Sequence, residues 1–161
     1  MQRNPRINRR MVLAGAIGLP LLIPAITGTH AAPLPLVRVA KDPSCGCCDD
    51  WVSHIEAAGF PVRVAESDDM GGLKRRLGVP VELASCHTAQ VDGYVIEGHV
   101  PAAALHRLLA ERPEARGLAV PGMPAGSPGM EFPDLLPETY DVFLFGPTIS
   151  RFMRFRGSRE I

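Results

Sequence analysis

Apolar residues fall along the chain in short runs and in helically spaced groups, separated by Gly, Pro and Asp clusters. Leu34 to Ala40 reads as a short, largely buried strand, and Lys41 to Ser44 as a turn. From Asp49 to Ala58, the positions Trp51, Val52, Ile55 and Ala58 recur at helical spacing, and Gly59 stops the run. Phe60 to Ala65 predicts a second strand. Ser67-Asp68-Asp69 is an N-cap cluster for a short helix carrying Leu73 and Leu77, which Gly78-Val79-Pro80 breaks. Two short strands follow, Val81 to Ala84 and Gly93 to Ile96, with Asp92-Gly93 supplying turn chemistry. Pro101 suits the first turn of a helix through Glu111, whose Leu105, Leu108 and Leu109 form one face. The order β-α-β-α-β-β-α predicts a small α/β sandwich. Gly117 to Pro137 is too rich in Gly and Pro to be regular. Tyr140 to Phe145 and Ile149 to Phe155 read as a closing hairpin around Gly146-Pro147.

The first 32 residues follow a different grammar. Met1 to Arg10 is basic, Met11 to Thr27 is apolar but interrupted by Pro20 and Pro24, and small residues around Ala31 and Ala32 offer cleavage points. That is the layout of a secretory signal peptide. About 17 apolar residues broken by two prolines make a poor membrane-spanning helix. Asn8-Arg9-Arg10-Met11-Val12-Leu13 also resembles a twin-arginine export signal. The predicted organisation is therefore a signal peptide over 1–32 and one domain over 33–161, of which 117–161 is a loop and hairpin extension. The mature protein is expected outside the cytoplasm, in a bacterial periplasm, with membrane contact only through an uncleaved signal segment.

Composition narrows the chemistry. The chain has 161 residues, 46% hydrophobic and 21% charged, a globular composition too short for a large multidomain enzyme. Its 17 basic and 17 acidic residues cancel, yet residues 1–32 hold four arginines and no acid. Without them 13 basic residues face 17 acidic ones, a net charge near −4. Such a body has no electrostatic reason to bind nucleic acid or an anionic membrane. A cationic partner suits it better.

All four cysteines lie beyond the signal segment: Cys45, Cys47, Cys48 and Cys86. Three readings compete. Two structural disulfides would be ordinary in an exported protein, but Cys47 and Cys48 are neighbours, and only Cys45 to Cys48 makes a comfortable local bridge, leaving Cys47 to reach Cys86. A redox reading notes that Cys45-Gly46-Cys47-Cys48 contains a C-x-x-C pair between a strand and a helix start, where backbone N–H groups favour thiolate. A thioredoxin-like enzyme puts its dithiol there; the extra Cys47 would interfere. The third reading is soft-metal ligation, since thiolates and thioethers select Cu(I) and crowded thiolates can bridge several ions. Zinc competes, but the second C-x-x-C or H-x-x-x-H of a zinc ribbon or finger is missing.

Other soft or borderline donors sharpen the third reading. Met123 and Met130 lie in the Gly/Pro-rich loop Gly122 to Glu131, off any periodic apolar face. His87 follows Cys86 at a strand end, as a ligand or a neighbour of one. His99 precedes a helix and is a further ligand candidate. His54 reads as a solvated helix residue, His106 as surface and Trp51 as core. Lys41 near the thiols would favour thiolate by its charge.

These motifs, taken together, resemble a known family. Lys41-Asp42-Pro43-Ser44-Cys45-Gly46-Cys47-Cys48 with Trp51, Leu77-Gly78-Val79-Pro80, Ser85-Cys86-His87-Thr88-Ala89, Gly93 to Pro101 and Gly117 to Glu131 are similar to the small periplasmic copper-resistance proteins of CopG type. The resemblance covers most of Leu34 to Glu131. It implies a thioredoxin-like α/β fold whose dithiol corner has become a copper site, with cysteines bridging a multinuclear cluster. It also implies a role in copper tolerance and Cu(I)/Cu(II) interconversion. By motif, Cys45, Cys47, Cys48 and Cys86 are the first ligands, with Met123, Met130 and His99 as additional ones. The partners it implies are copper ions and periplasmic copper-handling proteins. A thiol–disulfide oxidoreductase and a zinc- or disulfide-stabilised module remain as alternatives.

Overall fold

Alternation within the strands decides the architecture. In β1 (Val37–Lys41), Val37, Val39 and Lys41 are buried while Arg38 is exposed. The computed structural model describes residues 32–161. The expected export segment therefore lies outside the described residues, save Ala32. Among the described residues no helix is long and apolar enough to cross a membrane.

After β1 come α1 (Cys47–Ala57), β2 (Val62–Glu66), α2 (Met70–Leu77), β3 (Thr88–Val91), β4 (Tyr94–Glu97), α3 (Ala102–Glu111), β5 (Gly117–Ala119), β6 (Thr139–Phe145), β7 (Ile149–Arg156) and β8 (Arg159–Glu160). The eight strands of the described residues form one sheet in the order β2-β1-β3-β4-β5-β6-β7-β8. The pairs β1–β2 and β4–β5 are parallel and the rest antiparallel. The predicted α/β class holds.

The core splits between two clusters. One gathers Val37, Val39, Ala89, Val91 and Ile96 of the sheet with Trp51 and Ile55 of α1 and Leu105 and Leu108 of α3. The other gathers Val95, Ala119 and Phe145 with Val79, Leu83 and Leu77 at the end of α2. Consecutive residues Val95 and Ile96 join different clusters, as strand pleating requires. The central β4 is buried along its whole length. Helix α2 starts where Asp69 accepts a hydrogen bond from Gly72 N–H (2.7 Å), so the Ser67-Asp68-Asp69 cluster does supply its cap.

Two expectations are corrected. Val81–Leu83 is a short 3-10 turn after Pro80, with Leu83 buried and Val81 84% exposed, so it offers the sheet no continuous edge. The strand comes later, at Thr88–Val91, inserted between β1 and β4. Gly117–Ala119, expected to be irregular, is a wholly buried strand joined to β4 on one side and β6 on the other. The closing hairpin is therefore continuous with the main sheet.

Candidate metal centre

Two separate segments bring sulfur to one place. The first is the turn between β1 and α1. Buried Lys41 reaches over it, its Nζ donating to the Cys45 carbonyl (3.3 Å) and the Asp49 carboxylate (3.0 Å). Ser44 N–H donates to the Asp42 carboxylate (2.8 Å), tightening the turn. Gly46 is the N-cap of α1, Cys45 precedes it, and Cys47 and Cys48 are the first two helical residues. Amides in such a first turn have no helical acceptor and carry the positive end of the dipole. The expected placement at a helix start is observed.

The second segment leads into β3. Thr88 pairs with Glu97 across the β3–β4 hairpin. Cys86 and His87, just before β3, therefore stand beside Gly98 and His99, just after β4, and Gly98 N–H donates to the His87 carbonyl (3.0 Å). Gly98 has φ +71°, and a Cβ there would lie 2.5 Å from the Ser85 side chain and 2.6 Å from the Val120 carbonyl. Only glycine permits this approach.

The four cysteine sulfurs lie within 4.8 Å of one another. Cys45 and Cys48 are joined as a disulfide, while Cys47 and Cys86 are free. Cys47 Sγ is 3.7 Å from Cys45 Sγ, and Cys86 Sγ is 3.7 Å from Cys48 Sγ. The local bridge that spacing favours is thus present, and ligation by all four sulfurs requires its reduction.

Imidazole flanks the sulfur cluster. Cys86 Sγ is 3.0 Å from His99 Nε2 and 3.2 Å from His87 Nδ1, and these three side chains form a second compact donor group. His99 Nδ1 lies 2.7 Å from the Pro128 carbonyl. A carbonyl can only accept, so Nδ1 carries the proton and the Nε2 lone pair faces Cys86. His87 packs on Trp51 with ring centroids 4.3 Å apart, and its buried Nε2 has no hydrogen-bond partner among the described residues. Burial holds both imidazoles below their ordinary pKa, so both are neutral electron-pair donors near pH 7. Burial, reinforced by neighbouring Cys47, pushes the Cys86 thiol up to about 11.

The Gly/Pro-rich loop is tied to both sulfur-bearing segments. Ser85 Oγ donates to the Gly122 carbonyl (2.5 Å), next to Met123. Gly129 (φ +83°), next to Met130, packs so closely on α1 that a Cβ would meet the Cys47 carbonyl at 2.7 Å and Trp51 N at 2.8 Å. Met130 is half-buried, whereas Met123 is 54% exposed. The structure thus gathers Cys45, Cys47, Cys48, Cys86 and His99 directly and carries Met123 and Met130 on a loop docked against them.

His87, expected from the sequence as a ligand or a neighbour of one, stands with its Nδ1 3.2 Å from Cys86 Sγ. Two features escaped the sequence reading. His54 is not a solvated residue: its Nε2 accepts from Ala102 N–H (3.1 Å) and caps α3. Glu97 is fully buried, bound to Lys74 Nζ (2.5 Å), Thr88 Oγ1 (2.7 Å) and Ser85 N–H (2.6 Å). Burial raises its pKa, and these partners oppose the rise. A hydrophobic-in, polar-out rule misses both, because each polar group is satisfied by a contact distant in sequence, and Glu97 also lies hidden in the apolar run Tyr94-Val95-Ile96-Glu97.

Sulfur and neutral imidazole, with no carboxylate in either donor group, make a set fitted to a soft or borderline metal ion. A family model described as "Protein of unknown function, DUF411" matches residues 83–130, a stretch that contains Cys86, His87, His99, Met123 and Met130. No curated protein matches the chain. Two solved structures do, both of the copper-resistance protein CopG. Form 2 is 44% identical with a TM-score of 0.72, over 76% of this chain and 98% of that one. Form 1 is 46% identical with a TM-score of 0.71, over 78% and 99%. Identity at that level across almost the whole of both relatives, with the clustered cysteines in place, makes this chain a member of the CopG copper-resistance protein family.

Proposed function

We propose that the protein is exported through its 1–32 segment and holds Cu(I) in the periplasm, as a multinuclear thiolate cluster, for copper tolerance. Copper is its cargo. Reduced Cys45, Cys47, Cys48 and Cys86 are the sulfur ligands, His99 Nε2 adds imidazole, and Met123 and Met130 supply thioethers that stay unprotonated in acid. The observation that carries this reading is the convergence of four sulfurs from two separate segments within 4.8 Å. Staples need pairs of sulfurs, whereas a soft-metal cluster needs them crowded. The topology supports a thioredoxin-like origin for the site, since β1-α1-β2-α2-β3-β4-α3 with strand order β2-β1-β3-β4 places a C-x-x-C at the first helix.

The same sulfurs suit Cu(I)/Cu(II) interconversion. Closing the Cys45–Cys48 bond from two thiols releases two electrons and two protons, enough to reduce two Cu(II) to two Cu(I). Periplasmic copper-handling proteins are the corresponding partners. Anaerobic titration of the reduced protein with Cu(I), against a competing chelator and with metal analysis, tests this reading. It fails if the reduced protein takes up zinc but ignores Cu(I).

A second reading, a thiol–disulfide oxidoreductase, is favoured by the disulfide formed within the C-x-x-C. It predicts that Cys47→Ser leaves Cys45 and Cys48 exchanging with a small dithiol without metal. The copper reading predicts that Cys47→Ser lowers the number of ions bound.

A further inference from the structure

The buried Lys74–Glu97 pair lies outside both donor groups, and stability alone does not account for it. Taking charges out of water is costly, and well-packed apolar residues often serve a core equally well. Glu97 is 0% exposed and Lys74 12% exposed on its side chain. Such a pair is best explained by what it orients.

Each oxygen of the carboxylate is spent. Oε1 accepts from Lys74 Nζ (2.5 Å) and from Ser85 N–H (2.6 Å), and Oε2 accepts from Thr88 Oγ1 (2.7 Å). Thr88 Oγ1 in turn accepts from Lys74 Nζ (2.9 Å), which closes the network. Ser85 is the pivot. Its N–H is held by Glu97, its chain continues directly into Cys86, and its hydroxyl holds the Gly122 carbonyl beside Met123. On the other side Glu97 continues into Gly98, pressed against Ser85, and then into His99.

We propose that Glu97 is a positioning residue for the metal centre, setting through Ser85 where Cys86 Sγ stands against His99 Nε2 and where the Met123 end of the loop docks. It binds no metal itself. The carboxylate joins the segment before β3 to the segment after β4, so the 3.0 Å approach of Cys86 to His99 depends on it. The proposal rests on the copper reading.

The test compares Glu97→Gln with Ile96→Val, which trims the neighbouring core residue without touching the network. Both are measured by anaerobic Cu(I) competition and by the thiolate-to-copper charge-transfer absorption of the loaded protein. Glu97→Gln is expected to lower Cu(I) affinity by about tenfold or more, as loss of an outer-shell partner does, and to shift the absorption. Ile96→Val is expected to change neither. Wild-type affinity and spectrum in a folded Glu97→Gln protein would overturn the proposal, as would equal losses in the two variants. If Glu97→Gln does not fold, Thr88→Val carries the same test, with a loss of about threefold or more expected and no change overturning it. Failure of wild-type protein to bind Cu(I) would instead remove the copper reading. In that case the alkylation rate of Cys86 relative to Cys47 in metal-free protein decides the positioning role, which stands if Glu97→Gln changes that ratio and falls if it does not.

Discussion

Cys86 Sγ and His99 Nε2 stand 3.0 Å apart because the β3–β4 pairing brings the segments flanking its open end side by side, and His99 is locked in this orientation by the Pro128 carbonyl at 2.7 Å. The ring therefore presents a lone pair, not an N–H, to the sulfur site. His99→Ala is expected to weaken Cu(I) binding by about tenfold or more, equivalent to at least ~1.4 kcal/mol, with the fold intact by circular dichroism. Competition with a chromogenic Cu(I) chelator reads the loss, and unchanged affinity would remove His99 from the ligand set.

The Cys45–Cys48 disulfide makes metal uptake depend on redox state. Two sulfurs joined to each other cannot serve as thiolates. Titration with a thiol reagent should find two reactive thiols in the folded, unreduced mature protein and four after reduction. Copper uptake should rise over the same step. Equal copper loading before and after reduction would show that the bridged pair takes no part.

Gly129→Ala tests the docking of the loop. A Cβ at this position would lie 2.7 Å from the Cys47 carbonyl, on a backbone with φ +83°. The substitution forces the loop off the first turn of α1 or strains both, at a cost of about 1 kcal/mol or more. A lower melting temperature and weaker Cu(I) binding should appear together. Weaker stability with unchanged binding would mean that the loop, and with it Met130, is not part of the site.

His54 predicts a pH effect independent of metal. Its Nε2 can accept the Ala102 N–H only while the ring is neutral, and burial, opposed by the Glu131 charge, lowers its pKa. A depressed folded-state pKa contributes stability that is present above the ordinary value of 6.5 and is lost as pH falls through the folded-state pKa. Denaturant unfolding of the metal-free protein at pH 7 and pH 5 should show His54→Ala less stable by about 1 kcal/mol at pH 7, with the gap narrowing at pH 5. A pH-independent gap would contradict the cap.

What was legible in the sequence follows the range of the interactions. Cys45, Cys47 and Cys48 are close because they are neighbours in one turn, and Trp51, Ile55, Leu105 and Leu108 recur at a period that only a helix satisfies. The joining of Cys86 to them was legible through motif resemblance, because the hairpin that delivers it depends on where β3 begins. The run Val81 to Ala84 has the apolar content of a strand, yet Pro80 and the exposed Val81 turn it into a 3-10 element, and the pairing shifts to Thr88–Val91. Gly117–Ala119 was illegible for the opposite reason: a three-residue Gly-Leu-Ala run has little strand preference of its own, and β4 and β6 impose the strand from either side. Lys74 and Glu97 lie 23 residues apart, a separation at which no periodicity connects them.

Copper K-edge absorption on the anaerobically reduced protein, loaded with Cu(I) and compared with its Cys86→Ser variant, bears most directly on the clustered sulfurs. A Cu(I) edge with a sulfur-dominated first shell and a copper–copper contribution is expected, and the latter should diminish in Cys86→Ser. A first shell of nitrogen and oxygen alone, or identical spectra from the two proteins, would contradict the account.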